Sequence, residues 1–137
     1  MDKKTEIKKQ IARENMEKSS ERAIEFAKNL KKDLDYSAKS ISNLDAILEL
    51  FHQETIKTGE NEQKIWSLSY IFGAYLGETL QKNKLESLGY TWTILDDSNI
   101  PLLEGKGHFV NPVFQVNQRI TKGKEASLID FYASILG

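Results

Sequence analysis

The chain has no cysteine among its 137 residues, which excludes a disulfide framework, a thiolate metal site and a cysteine nucleophile. Arginine is scarce as well. Arg13, Arg22 and Arg119 are the only three, and the net charge is −1. Nucleic-acid-binding domains concentrate basic residues, with arginine making the bidentate phosphate and base contacts, so the composition points away from nucleic acid. Long apolar runs are missing too. The richest apolar window, around Ile71 to Leu76, is far shorter than the roughly 20 residues of a membrane-spanning helix. The opening MDKKTEIKKQIAREN contains no apolar leader. The expectation is a soluble, cytoplasmic protein with no membrane partner.

Several chemical motifs are also lacking. Glu104-Gly105-Lys106-Gly107 has neither the spacing nor the following helix of a phosphate-binding loop. DDSNIPLLEGKG at 96–107 does not put oxygen ligands at alternate positions before a terminal Glu, as a calcium loop requires. Serines are plentiful, but none sits in a nucleophile elbow, and a triad would need an acid and a base around one of the two histidines. No cofactor, metal or catalytic residue is expected.

What is present is enough chain for one domain, which at this length buries roughly 68–70% of its unfolded surface. No repeat, low-complexity tract or Pro/Gly/Ser linker divides it. Charge is mildly asymmetric: residues 1–34 hold ten Lys/Arg against seven Asp/Glu, and the rest nine against thirteen. From Lys3 to Arg22 the apolar residues thin out to Ile7, Ile11, Ala12 and Met16. Residues 1–22 therefore read as a weakly anchored amphipathic helical arm. Residues 23–137 read as a single domain.

Ala23, Ile24, Ala27, Leu30 and Leu34 share a helical stripe, so the first helix is predicted to end near Lys32. A break at Asp35-Tyr36-Ser37 follows, with Ser37 as N-cap. The second helix presents Ile41, Leu44, Leu48, Phe51 and Thr55 and stops before Thr58-Gly59. The third starts in the acidic Glu60–Glu62 segment and runs to Leu88. Its middle, IWSLSYIFGAYLGETL, is apolar on nearly every side and is the expected hub of the fold. Two interior glycines, Gly73 and Gly77, each cost roughly 1 kcal/mol relative to Ala. They make sense where another backbone approaches closely, or as a dimer strip.

After Gly89 the period changes to two. Tyr90, Trp92 and Ile94 alternate with Thr91, Thr93 and Leu95, a strand pattern. Asp96–Asn99 reads as the hairpin turn, Ile100–Leu103 as the return strand, Gly105 and Gly107 as a bend, and Phe109-Val110 as a further short strand. Asn111-Pro112 is an N-cap followed by proline at the first helical position, and Gly123 closes that helix. Its stripe is Val113, Val116 and Ile120. A last helix over roughly Glu125–Leu136 buries Leu128, Phe131, Tyr132 and Ile135. The class is α+β and helix-dominated: three N-terminal helices, a small antiparallel β-hairpin or sheet, then two C-terminal helices.

Among residues that could carry function, Glu78 stands in an apolar helix, on an arc with Ser67, Ala74 and Gln81. It marks either a narrow solvent face or a buried carboxylate. His52, beside Phe51, reads as a half-exposed structural histidine. His108 sits in a loop next to a strand, where clefts form, or is a plain loop residue. Asp96-Asp97 fits a solvated turn better than acid–base chemistry, because neighbouring strand residues point apart.

Four blocks together resemble a group of small bacterial proteins of unknown function: LDYSAKSISNLDAIL at 34–48, FGAYLGETL at 72–80, NPVFQVNQRI at 111–120 and SLIDFY at 127–132. The likeness spans about residues 30–135 and rests mainly on the Gly73-to-Glu78 block. It implies a bacterial α+β domain with no established activity. Some small proteins of this kind are immunity or accessory partners in toxin systems.

Two functions are carried forward. One is a non-catalytic protein-interaction domain, of the toxin-immunity or accessory kind, whose acidic hairpin (Asp96, Asp97, Glu104) faces a basic toxin or secreted partner. The other is a small-molecule-binding domain or enzyme, with Tyr75, Glu78, Trp92 and His108 lining a pocket between the third helix and the hairpin. A homodimer through the Gly73/Gly77 strip or the N-terminal arm is the remaining association to test.

Overall fold

The structure, a computed structural model, describes residues 3–95 and 97–136. The order is α1 (Lys3–Asn29), α2 (Ser40–Thr58), α3 (Glu62–Asn83), β1 (Thr91–Thr93), β2 (Leu102–Gly105), β3 (His108–Val110), α4 (Pro112–Lys122) and α5 (Leu128–Leu136). Short 3-10 turns at Leu85–Leu88 and Gly123–Ala126 join α3 to β1 and α4 to α5. The antiparallel sheet has the order β1-β2-β3. This is the helix-dominated α+β class that the hydrophobic periodicity predicts.

α3 is the hub because its sequence leaves it no wide polar face. Phe72, Ala74, Tyr75, Leu76 and Leu80 are all fully buried, each large side chain contributing about 1.5–3 kcal/mol. α1 and α4 pack against it, α2 leans on α4 and α5, and α1 also covers β1. Phe26, Phe51 and Phe72, from three helices, meet with ring centroids 5.6 Å apart.

The glycine strip has an intramolecular partner. A Cβ on Gly73 would lie 2.5 Å from the Val113 Cα, and one on Gly77 would strike the Trp92 ring. The close approach that two helical glycines predict is thus made by α4 and by Trp92. The strip is filled within the chain, which removes it as a dimer surface.

Helix ends follow the capping chemistry. Asn61 Oδ1 accepts from Lys64 N at 3.1 Å, and Asn111 Oδ1 from Phe114 N at 3.0 Å, each satisfying an otherwise unpaired first-turn amide. Regular α2 starts at Ser40 rather than at Ser37, but the Ser37 hydroxyl still accepts from Ser40 N at 3.1 Å. Asp35 Oδ1 takes the Ser37 amide and hydroxyl, and the hydroxyl bond above all holds the Asp35 carboxyl below its ordinary pKa. α3 stops at Asn83, before Leu88, and the chain continues as a 3-10 turn closed by left-handed Gly89.

α1 passes through position 22 without a break. Ile7 and Ile11 are exposed, but Ala12, Met16, Ser19 and Ser20 are buried. The anchoring therefore starts at Ala12, one stretch earlier than apolar density alone implies, because alanine and serine let α1 sit close to α3. Leu30, expected on the stripe, is left 38% exposed because the helix ends at Asn29.

The strands are shorter than the alternation predicts. β1 covers only three residues; it pairs antiparallel with β2, so the two form the expected hairpin, but residues 94–101 connect them, a longer loop than a four-residue turn. The tight hairpin joins β2 to β3 at Lys106-Gly107, where both residues have positive φ, 52° and 82°. That is the twist that matches paired strands. Across the sheet Thr91, Glu104 and Phe109 align in one row, and Trp92, Leu103 and Val110 in the next.

A candidate cleft around Glu78

Glu78 is 8% exposed, so it does not mark a solvent face. Its Oε2 accepts the indole N–H of Trp92 at 2.9 Å. Two local causes bring them together. The pleat of β1 turns Trp92 inward and Thr91 outward, and Gly77 provides room for the ring beside α3. Burial pushes the Glu78 carboxyl above its ordinary pKa; the Trp92 bond and Lys82 oppose the rise, while Glu17 and Glu86 add to it.

Around this pair lies a cleft of about 240 Å³. Tyr90, Thr91 and Trp92 form one wall, and Gln81 flanks Glu78 on α3. Arg13, Glu17, Lys82 and Glu86 are its exposed charged rim. Gln81 donates Nε2 to the Tyr90 carbonyl at 2.8 Å, leaving its Oε1 buried without a partner. Lys82 Nζ sits 4.8 Å from the centre of the Tyr36 ring. A larger hollow of about 370 Å³ over the α2–α3 turn has less chemistry, its acids and lysine being exposed around a Lys64–Glu54 pair at 2.9 Å.

The raised carboxyl has a measurable sign. Glu78 binds its proton more tightly folded than unfolded, so its ionisation weakens the fold as pH rises above the ordinary value of 4.5 and on through the raised one. Relative to wild type, Glu78→Gln is therefore expected to gain melting temperature as pH rises from 4.5 through the raised pKa, and to level off above it. A pH-independent difference in Tm would contradict this.

The structure separates the other sequence-selected residues. Tyr75 is fully buried and takes no part in the cleft. Its hydroxyl accepts from Tyr36 N at 2.7 Å and lies 2.6 Å from Ser40 Oγ. Since Ser40 Oγ donates to the Ser37 carbonyl, Tyr75 is the donor to Ser40. This clamp, with the stacked Tyr36 ring at 5.1 Å, holds Tyr36 at φ +66°, a left-handed conformation costing about 1–2 kcal/mol for a side-chain-bearing residue. Burial raises the Tyr75 phenol above its ordinary pKa.

His108 is exposed on β3 and does not line the cleft. Asp97 is exposed in the loop after β1, and Asp96 lies outside the described residues. A pocket of Tyr75, Glu78, Trp92 and His108 is thus not assembled: Glu78 and Trp92 meet, while Tyr75 turns to the α1–α2 connection and His108 stays at a hairpin tip. His52 is half-buried with Nδ1 2.8 Å from the Ile120 carbonyl, a structural contact.

Sequence reasoning missed a second charged cluster. Arg119 is 1% exposed; its Nε lies 3.0 Å from Asp45 Oδ1, and Nη2 lies 3.3 Å from Asp45 Oδ2 and 2.9 Å from Glu49 Oε1. Asp45 Oδ1 also accepts Leu128 N, at the start of α5. Burial works against the guanidinium charge, but the hydrogen bonds it donates to Asp45 and Glu49 outweigh it and raise the Arg119 pKa.

Among the described residues no three His, Asp or Glu side chains gather as a metal site, and no helix is long and apolar enough to cross a membrane. Comparison with protein-family models, curated proteins and solved structures finds no match.

Proposed function

We propose that this chain is a non-catalytic protein-interaction domain of a cytoplasmic bacterial protein, of the toxin-immunity or accessory kind, binding through β3 and the first turn of α4. The observation that carries this reading is a pair of exposed phenylalanines beside a sheet edge. Phe109 is 56% and Phe114 49% exposed, and β3 ends the sheet. Scattered apolar residues on a surface are ordinary. Two aromatics flanking an edge strand offer more, because the edge has backbone groups for an added strand and the rings supply contact area. The acidic-hairpin support is reduced: Glu104 is half-buried and its Oε2 accepts from Gly107 N at 3.3 Å, so among the described residues Asp97 is its exposed member.

The test is affinity purification of the tagged chain from its native host, with Phe109→Ser/Phe114→Ser in parallel. The wild type is expected to recover one stoichiometric protein partner, and the variant to lose most of it at an unchanged Tm. A partner-free wild type, or equal recovery by the variant, would sink this reading.

A further inference from the structure

We propose that the Glu78 cleft is a binding site for a small organic cation bearing N–H donors, of the primary alkylammonium or guanidinium class. This site is separate from the β3 surface and stands or falls independently of it. Glu78 is the anchor. It is buried, its Oε2 is fixed by Trp92, and no Lys, Arg or His among the described residues comes within 4.0 Å of it. A carboxylate taken out of water without a cation is costly. Lys82, which shares its helix, is placed over the Tyr36 ring instead.

The surroundings favour a donor of positive charge over an anion. The lining holds three carboxylates, Glu17, Glu78 and Glu86, against Arg13 and Lys82. Gln81 adds a buried oxygen that has no donor. The wall of Tyr90 and Trp92 provides aromatic rings, which attract cations and cover alkyl groups. The two built features, a fixed buried carboxylate and an unpartnered amide oxygen, lie on adjacent turns of α3. Neither is a consequence of surface charge alone.

Size narrows the class. The cleft, at about 240 Å³, lies below the roughly 300–1,000 Å³ of pockets that hold drug-sized ligands. That suits a short alkyl amine or a small guanidine. The ammonium would meet Glu78, a second N–H would reach the Gln81 oxygen after a small rotation of its occluded amide, and the alkyl part would lie against Tyr90 and Trp92.

The indole N–H of Trp92 is a reporter at the floor of the cleft, and its NMR resonance is assignable by substituting the other tryptophan, Trp66. The experiment titrates the full chain at pH 7.5 with n-propylammonium chloride, with sodium chloride and sodium propionate as controls at equal ionic strength. A saturable shift of the Trp92 resonance is expected with n-propylammonium alone. Glu78→Gln, which keeps an acceptor for the indole, is expected to weaken the apparent affinity at least tenfold. Glu17→Arg, at an exposed position on the rim, offers a tethered cation in place of a carboxylate and is expected to weaken the apparent affinity at least tenfold while leaving Glu78 in place. No saturable shift, the same shift with sodium chloride, or unaltered binding in Glu17→Arg would overturn the proposal. Should Glu78→Gln fail to fold, the Glu17 variant decides alone.

Discussion

Replacing Arg119 by methionine is expected to lower the unfolding free energy by about 3–5 kcal/mol, the usual loss when one partner of a buried ion pair is removed. The substitution keeps volume and apolar stem, so the loss reads the charge and its hydrogen bonds. It leaves Asp45 and Glu49, one turn apart on the same face of α2, without their cation and with side chains only 18% and 25% exposed. Asp45 also holds the first amide of α5, so the loss extends to the docking of that helix. Arg119→Lys retains the charge without the planar fork and is expected to fall between the two. Urea denaturation of the single and paired Arg119 and Asp45 variants would give the coupling directly. A loss below about 1 kcal/mol would put the cluster among exposed ion pairs. Even intact it is imperfect, because Arg119 Nη1 is buried without an acceptor.

The second large effect turns on a sign. Gly73→Ala in an open helix face would stabilise the protein by roughly 1 kcal/mol. Here the added methyl meets the Val113 Cα at 2.5 Å and its N and Cγ2 at 2.9 Å. A backbone cannot step aside as a flexible side chain does, so α4 must shift as a unit. Overpacking of this sort costs about 1–3 kcal/mol, occasionally more. Set against the helix-propensity gain, the net expectation is a destabilisation of up to about 2 kcal/mol, measured by urea or thermal unfolding. Gly77→Ala is expected to act similarly, with the Trp92 ring as obstacle and its near-ultraviolet signal changed, since that ring is tied to Glu78 and has little freedom to rotate. A stabilised Gly73→Ala protein would mean that α4 does not lie where it is described.

What could be read from the chain was local. The α3 run, the Gly73/Gly77 spacing, the Asn111-Pro112 entry and the Gly123 exit are each set by neighbours within one or two helical turns, and they stand as the patterns imply. The site was half legible. Glu78 was visible as a polar residue in an apolar helix, and its alignment with Gln81 follows from helical geometry. Whether it faced water depended on Trp92, fourteen positions away on a strand. Arg119 gave no signal at all: its partner Asp45 is 74 positions distant, and nothing in either local pattern says that two charged residues will close a core. The antiparallel sheet is present as expected, but its strand lengths were overestimated for a related reason. Alternation across Tyr90–Leu95 reports which faces are buried, whereas strand length is decided by where β2 is available to pair.

The seam at Gly73 and Gly77 also bears on how the chain is made. Both glycines leave the ribosome before Trp92 and Val113, the residues that cover them. At about 5–20 residues per second, α3 spends a few seconds with α1 and α2 for company and one bare side. During that interval the nascent chain displays a narrow, close-fitting groove that α4 later occupies. Synthesis order thus gives the C-terminal half the task of closing the molecule, and a chain interrupted before Val113 would be left with a sticky flank that the finished protein never shows.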